Sequence, residues 1–436
     1  MMNYAEAIEF LYKLRWFGTK LGLANTFKLA AFAGNPQNKL RFIHVAGTNG
    51  KGSTCAMLES IYRVAGLRVG LFTSPHLVAF GERIQVNRHL IPEAGVVRQV
   101  AELQAMLAQF PESEHPTFFE VVTVMALRYF AAEKCDLVIW ETGLGGRLDA
   151  TNIITPLASV ITNIQFDHQQ WLGATLAAIA SEKAGIVKPG VPILTAADEP
   201  EALKVILDTA TSAGSPLTIV SSEEAERNLT GVDLPLLGHH QRLNAALAVS
   251  TVRALAPQIP IDEQTIRDGL SRVQWPGRLQ LLTQPDGRKI LLDGAHNVAG
   301  AKTLVAALRE YFPSVPFALV LGILGDKDFT EICGVFAPVA TDIFVTPVPS
   351  ERSAAPARVA EACRLAKPSA RVSEHSCLEH ALSASRDFPL TVVTGSLYLV
   401  GEALELLKGI QSAPTGERGL NEWAAIRTPG SAFKTP

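Results

Sequence analysis

Short apolar runs alternate with helix-length amphipathic segments along almost the whole chain, a pattern that produces parallel sheets covered by helices on both faces. Residues 41–46 (RFIHVA) predict a buried strand and GTNGKGS a tight loop; residues 54–66 (TCAMLESIYRVAG) predict a helix ending at Gly66, and residues 67–74 (LRVGLFTS) the next strand. Further strands are predicted at residues 136–140, 157–164 and 191–196, with a helix carrying Lys183 between the last two. Trp275-Pro276-Gly277 then breaks the pattern. A second series follows, KILLD, FALVLGI, DIFVTPV, ARVSEH and LTVVTG, each run trailed by a helical segment.

The expected fold class is therefore α/β, with one domain at residues 1–275 and a second, doubly wound one at 276–412. At roughly 150 residues per domain, a length of 436 allows two or three. Residues 413–436 are polar and rich in Gly, Pro and Thr, and a loosely held tail is expected there.

Composition narrows the function classes. With 47% hydrophobic and 19% charged residues the chain can build real cores. A net charge of -3 and no long Lys/Arg run leave it without the electrostatic footprint of a nucleic-acid binder. Its five cysteines are scattered, with no C-x-x-C pair, which argues against a disulfide framework or a zinc site and fits reduced thiols in a cytoplasm. The N-terminus lacks the apolar segment and cleavage site of a signal peptide, and no run reaches the ~18 apolar residues needed to span a bilayer. A soluble protein with no membrane partner is expected.

The chemistry gathers at predicted strand ends. Gly47-Thr48-Asn49-Gly50-Lys51-Gly52-Ser53-Thr54 lies between a strand and a helix, where backbone N–H groups and the helix dipole can cradle phosphates and Lys51 can reach the terminal ones. Its spacing departs from G-x-x-x-x-G-K-[ST], so it is a variant phosphate loop rather than a bare packing turn. Glu141, at the end of another strand and before Gly143-Leu144-Gly145-Gly146, is placed to hold a hard cation, with Mg2+ the natural choice. Phe166-Asp167-His168 supplies a further candidate ligand, His168, at the same sheet edge. Lys183 by itself reads as an exposed helical lysine. In the second series, Asp293-Gly294-Ala295-His296-Asn297 ends a strand and opens a helix, Arg278 can present its donor fork to phosphate oxygens, and Gly395-Ser396 ends the last strand, where Ser396 has an ordinary helix-cap explanation.

Together GTNGKGS, Ser74-Pro75-His76-Leu77 leading to Glu82-Arg83-Ile84, ETGLGGRLDATN, Asp167-His168, SEKAGI and DGAHN resemble, in order and approximate spacing, the folylpolyglutamate synthase and dihydrofolate synthase family of the Mur ligase superfamily. The resemblance runs from about residue 5 to about 410. It implies an N-terminal P-loop-type Mur ligase central domain, a C-terminal Rossmann-like domain, and an active site in the cleft between them. Thr48, Asn49, Gly50, Lys51, Gly52 and Ser53 match its ATP loop, and Asn244, Arg278 and Asp293 its other ATP contacts. Ser74, Glu141 and His168 match Mg2+-associated positions, and Lys183 matches a lysine carbamylated to bind a second Mg2+. His296 and Ser396 fall at positions associated with the incoming glutamate or its reaction. Arg83, Thr117, Phe118, Phe119, Glu120, Leu148, Asp149 and Ala150 fall in substrate-binding segments, where an aromatic wall can stack on a pterin and a carboxylate can accept its N–H groups.

Two features depart from the family pattern: Lys20 stands where an acidic residue is expected in some bifunctional members, and the chain beyond about Ser412 has no counterpart. The implied activity is ATP-dependent addition of L-glutamate to dihydropteroate and to the glutamate chain of reduced folates through an acyl phosphate, by a monomer. The open alternatives are the chain-extending activity alone, another Mur-type amino-acid ligase, and a nucleotide-hydrolysing switch that forms no bond.

Overall fold

A computed structural model describes residues 2–18, 22–408 and 417–421, arranged around two sheets. The first contains β1 (Phe42–Ala46), β2 (Val69–Phe72), β3 (Ile84–Val86), β4 (His89–Leu90), β5 (Leu137–Glu141), β6 (Ala158–Ile161), β7 (Ile193–Thr195) and β8 (Leu217–Ile219). Their order is β4-β3-β2-β5-β1-β6-β7-β8, parallel except at the β2–β3 and β3–β4 pairs. The second sheet contains β9 (Gln280–Thr283), β10 (Lys289–Leu292), β11 (Phe317–Leu321), β12 (Asp342–Val345), β13 (Arg371–Glu374) and β14 (Leu390–Thr394), in the order β13-β12-β11-β14-β10-β9, with only β9 antiparallel.

Because strand side chains alternate between faces, each central strand feeds two cores. From β5, Val138 and Trp140 join a cluster under the helices Glu93–Leu107 and Phe118–Ala132, while Leu137 and Ile139 face the helices Lys51–Val64 and His239–Ala254. Trp140 is fully buried and stacks on Phe72 with ring centroids 4.4 Å apart. Burying such rings contributes about 2–3 kcal/mol each, which pins β5 and β2 side by side. In the second sheet Leu319 and Leu321 face one cluster, and Ala318 and Val320 the other.

The predicted strands appear as strands, but the structure adds β3, β4, β8 and β9. The helix after β1 also begins earlier than the pattern suggests, at Lys51 rather than Thr54. Gly50, at φ 84°, turns the chain directly into it. That left-handed conformation costs glycine nothing.

The expectation of a loosely held tail fails for Glu417–Asn421, a short 3-10 helix in which Leu420 is 1% exposed and seated in the first sheet's core. The Lys20 departure falls outside the described residues. No helix among them is long and apolar enough to cross a membrane.

Candidate active site

The carboxyl ends of β1, β5 and β6 face those of β10 and β14 across one cavity of about 450 Å3, and every residue singled out above as a candidate ligand or catalyst lines it. The phosphate loop is held from β6. Thr48 N donates to Asn163 O at 2.8 Å, Asn49 N to Asn163 Oδ1 at 2.8 Å, and Thr162 Oγ1 to Asn49 O at 2.7 Å. A Cβ on Gly50 would lie 2.4 Å from Asn244 Oδ1, so glycine is what lets the loop close on the helix carrying Asn244. Lys51 Nζ lies back on the carbonyls of Gly47 and Thr48, at 3.2 Å each. Ser53 is buried in the first turn of the helix.

The loop after β5 positions Lys183. Asp149 accepts from Leu144 N at 2.7 Å and from Thr151 N at 3.0 Å, folding the glycine-rich turn back on itself. Asn152 Nδ2 donates to Arg147 O and Gly185 O at 3.0 Å each, and Arg147 N to Glu182 O at 2.7 Å, clamping the turn onto the helix Leu176–Ala184. A Cβ at Gly146 would stand 2.9 Å from Lys183 O. Lys183 is thus not an exposed helical lysine: it is 4% exposed and its Nζ donates to Gly47 O at 2.7 Å. Burial, reinforced by Lys51, lowers its pKa to about 7.

Glu141 accepts from Ser74 N at 2.9 Å through Oε2. Burial raises its pKa, while Lys51, the Ser74 amide, Arg278 and Arg83 pull the other way. His168 sits in a left-handed conformation at φ 51°, with its pKa lowered to about 3 chiefly by burial. These groups suit Mg2+. Among the described residues no three His, Cys, Asp or Glu side chains form a preformed cage, and Mg2+ asks for only one or two protein carboxylates alongside waters and phosphate oxygens. A near-neutral buried amine is also the form of lysine that can take up CO2 as a carbamate.

From the second sheet, Arg278 enters beside Gly294, where a Cβ would meet its Nη1 at 2.3 Å. It makes no hydrogen bond or ion pair among the described residues, and burial lowers its pKa. Asp293 spends both oxygens on Leu279 N and Ala295 N, each at 2.9 Å. Ser396 Oγ accepts from Tyr398 N at 3.1 Å, which is a cap. His296 Nδ1 lies 2.8 Å from Gly294 O. A carbonyl only accepts, so Nδ1 carries the proton there and Nε2 faces Asp167 Oδ2 at 3.5 Å.

Sequence reasoning missed the junction built on Asp167. Lys327 Nζ is 2.6 Å from Oδ1, and Asn297 Nδ2 donates to Oδ2 at 3.0 Å. Burial alone would raise this carboxyl, but the hydrogen bond from His296 and the charges of His168, Lys327 and His296 hold it well below the usual range. Asn297 also exchanges amide hydrogen bonds with Asn49 of the phosphate loop, at 3.1 and 3.3 Å. Lys327 follows β11 in a glycine-flanked turn, the same strand-end signal that identified Glu141, and that signal could have found it.

At the far end of the cavity the substrate candidates divide. Phe119 packs where a Cβ on Gly143 would be 2.5 Å away, and Phe118 lies under the Arg83 guanidinium at 5.4 Å. Glu120 is committed to structure: it accepts from Thr117 N at 2.7 Å in a capping box and from Thr26 Oγ1 at 3.2 Å. Asp149 is likewise a loop brace, N-capping Ala150–Asn152 beside Leu148. Both carboxylates thus already accept backbone hydrogen bonds that fix their orientation in the cavity wall.

Residues 45–252 match the Mur ligase middle domain, and residues 277–397 match the Mur ligase, glutamate ligase domain. The chain is 34% identical to folylpolyglutamate synthase of Lacticaseibacillus casei, over 94% of this chain and 100% of that protein. It is 35% identical to dihydrofolate synthase/folylpolyglutamate synthase of Bacillus subtilis (strain 168), over 93% and 99% respectively. The structure of E. coli FolC in complex with DHPP and ADP superposes with a TM-score of 0.83 at 30% identity, covering 94% of this chain and 98% of that one.

Proposed function

We propose a reaction from the premise that this chain belongs to the folylpolyglutamate synthase and dihydrofolate synthase family of Mur ligases. It is an ATP-dependent ligase that joins L-glutamate to dihydropteroate and to the glutamate chain of reduced folates. One observation carries the reading: the cavity gathers Lys51 and Lys183 from one sheet and Arg278 from the other, cations that no carboxylate neutralises by direct contact. A triphosphate meeting an activated acid needs such surroundings.

The substrate carboxylate attacks the γ-phosphorus of ATP, giving an acyl phosphate and ADP. The amine of glutamate then adds to the acyl carbon, and the tetrahedral intermediate expels phosphate. Lys51 and the amides of the loop from Thr48 to Ser53 hold the β- and γ-phosphates, and Arg278 closes on them from the second sheet; positioning and charge neutralisation are most of what phosphoryl transfer requires. Glu141, His168, Ser74 and a carbamylated Lys183 would hold two Mg2+ ions, whose chemistry is to neutralise charge on the phosphate oxygens. His296, oriented by Gly294 O and Asp167, is placed at the glutamate end of the cavity, where its ring can contact the incoming amino acid. Asn244 takes the nucleoside side of the loop, and Ser396 the glutamate end. Residues 1–275 and 276–412 act as the two lobes that shield the acyl phosphate from water.

Buried unpaired thiols fit a reducing compartment, and we place the enzyme in the cytoplasm as a monomer. The test is phosphate release from ATP and Mg2+ with dihydropteroate or tetrahydrofolate, each with and without glutamate. Turnover that needs both acid and amino acid is expected with each pair. Release indifferent to glutamate would convert the reading into a hydrolysing switch.

A further inference from the structure

Arg83 is a guanidinium 3% exposed at the wall of the cavity, and among the described residues it has no ion-paired carboxylate. The neighbouring Glu82 spends its carboxylate on the amides of Leu77, Val78 and Ala79. The hydrogen-bond partners of Arg83 are neutral: Nε donates to His76 Nδ1 at 2.9 Å, and Nη2 donates to Asn421 Oδ1. A buried cation held only by neutral acceptors keeps its charge available to a ligand.

Both acceptors trace to the C-terminal segment. His76 Nε2 faces the Glu417 carbonyl at 3.0 Å. Since a carbonyl only accepts, that contact puts the ring proton on Nε2 and leaves Nδ1 as the lone pair that Arg83 needs. Asn421 Nδ2 donates to His76 O at 2.9 Å, and its own carbonyl accepts from Tyr398 Oη at 2.6 Å. The Glu417 carboxylate accepts from Phe80 N, at the start of the short helix Phe80–Arg83. Five residues thus fix the loop, the tautomer and the guanidinium together.

We infer that Glu417–Asn421 is a positioning element that aims Arg83 at a carboxylate of one of the ligase substrates, with Asn421 as the residue in direct contact. The inference rests on the ligase reading above, in which both the folate-type acid and free glutamate carry carboxylates.

The test uses the full chain with Asn421→Asp, which offers Arg83 an internal counter-ion, and Asn421→Ala, which removes the tether without adding charge. KM for tetrahydrofolate and for glutamate is measured separately, with KM for ATP, kcat and Tm alongside. Asn421→Asp should raise KM for one carboxylate substrate by about tenfold, with KM for ATP within about twofold and Tm held; Asn421→Ala should raise the same KM by less. Which of the two constants moves identifies the carboxylate. If both variants leave both constants unchanged, or lose Tm and all rates in proportion, the segment is scaffold and the inference is overturned. A wild-type enzyme silent with ATP, glutamate and folate instead removes the ligase reading beneath it.

Discussion

The two halves of the cavity are built on the same rule and used differently. Each places a glycine-containing turn at the carboxyl end of a central parallel strand, after β1 at Gly47–Gly50 and after β10 at Asp293–Asn297. In the first half the turn is laced to its own sheet through Thr162, Asn163 and Gln165, so its amides are fixed before any ligand arrives. In the second half the carboxylate is consumed internally, on Leu279 and Ala295, while Arg278 stays unpaired. One half presents a turn fixed by its own sheet, and the other presents an unpaired charge toward the same cavity. Asp167 is where they meet, held by Lys327, His296 and Asn297 of the opposite half.

Substitutions can break this division of labour at graded cost. Lys51→Ala should lower kcat/KM for ATP by about 10^3-fold, the scale of a lost electrostatic donor, with Tm nearly unchanged; retained activity would remove the cradle from the first half. Arg278→Lys keeps the charge but loses the planar fork, and about 10^2-fold loss in kcat is expected. If Lys serves as well as Arg, the second half contributes only a field. Asp167→Asn should cost about tenfold in kcat, and Lys327→Met about the same. Their double variant should fall well short of the product, because both remove one contact; full additivity would mean the junction couples nothing. The smallest effect is expected from Asn297→Ala, which loses the cap on Gly300 N and the exchange with Asn49. About 1 kcal/mol of stability should go with the cap, read by denaturant unfolding, with activity down a few-fold.

The buried parallel strands were legible because they are uninterrupted apolar runs, and the phosphate loop because Gly, Lys and Ser/Thr fall between a strand and a helix. The additional strands were not. β4 is two exposed residues and β8 is largely exposed, so neither carries a run long enough to register. Lys183 illustrates a different limit. Its helix was visible, but its burial depends on a turn some 35 residues earlier folding over it through Asn152 and Arg147. Glu120 and Asp149 stood out through the family resemblance of their segments, which could not show that each also accepts from a backbone amide a few residues away. Asn421 had no local signal at all, since its partners His76 and Arg83 lie about 340 positions away.

Gly277, at φ 73°, precedes Arg278 and accepts from Gly294 N at 3.0 Å through its carbonyl. That hydrogen bond ties the backbone beside Arg278 to the turn after β10, so one contact settles both the break in the chain and where the guanidinium starts. A Cβ at Gly277 would stand 2.9 Å from Val400 Cγ1, so any side chain forced into this turn would disturb the seat of the guanidinium along with the backbone.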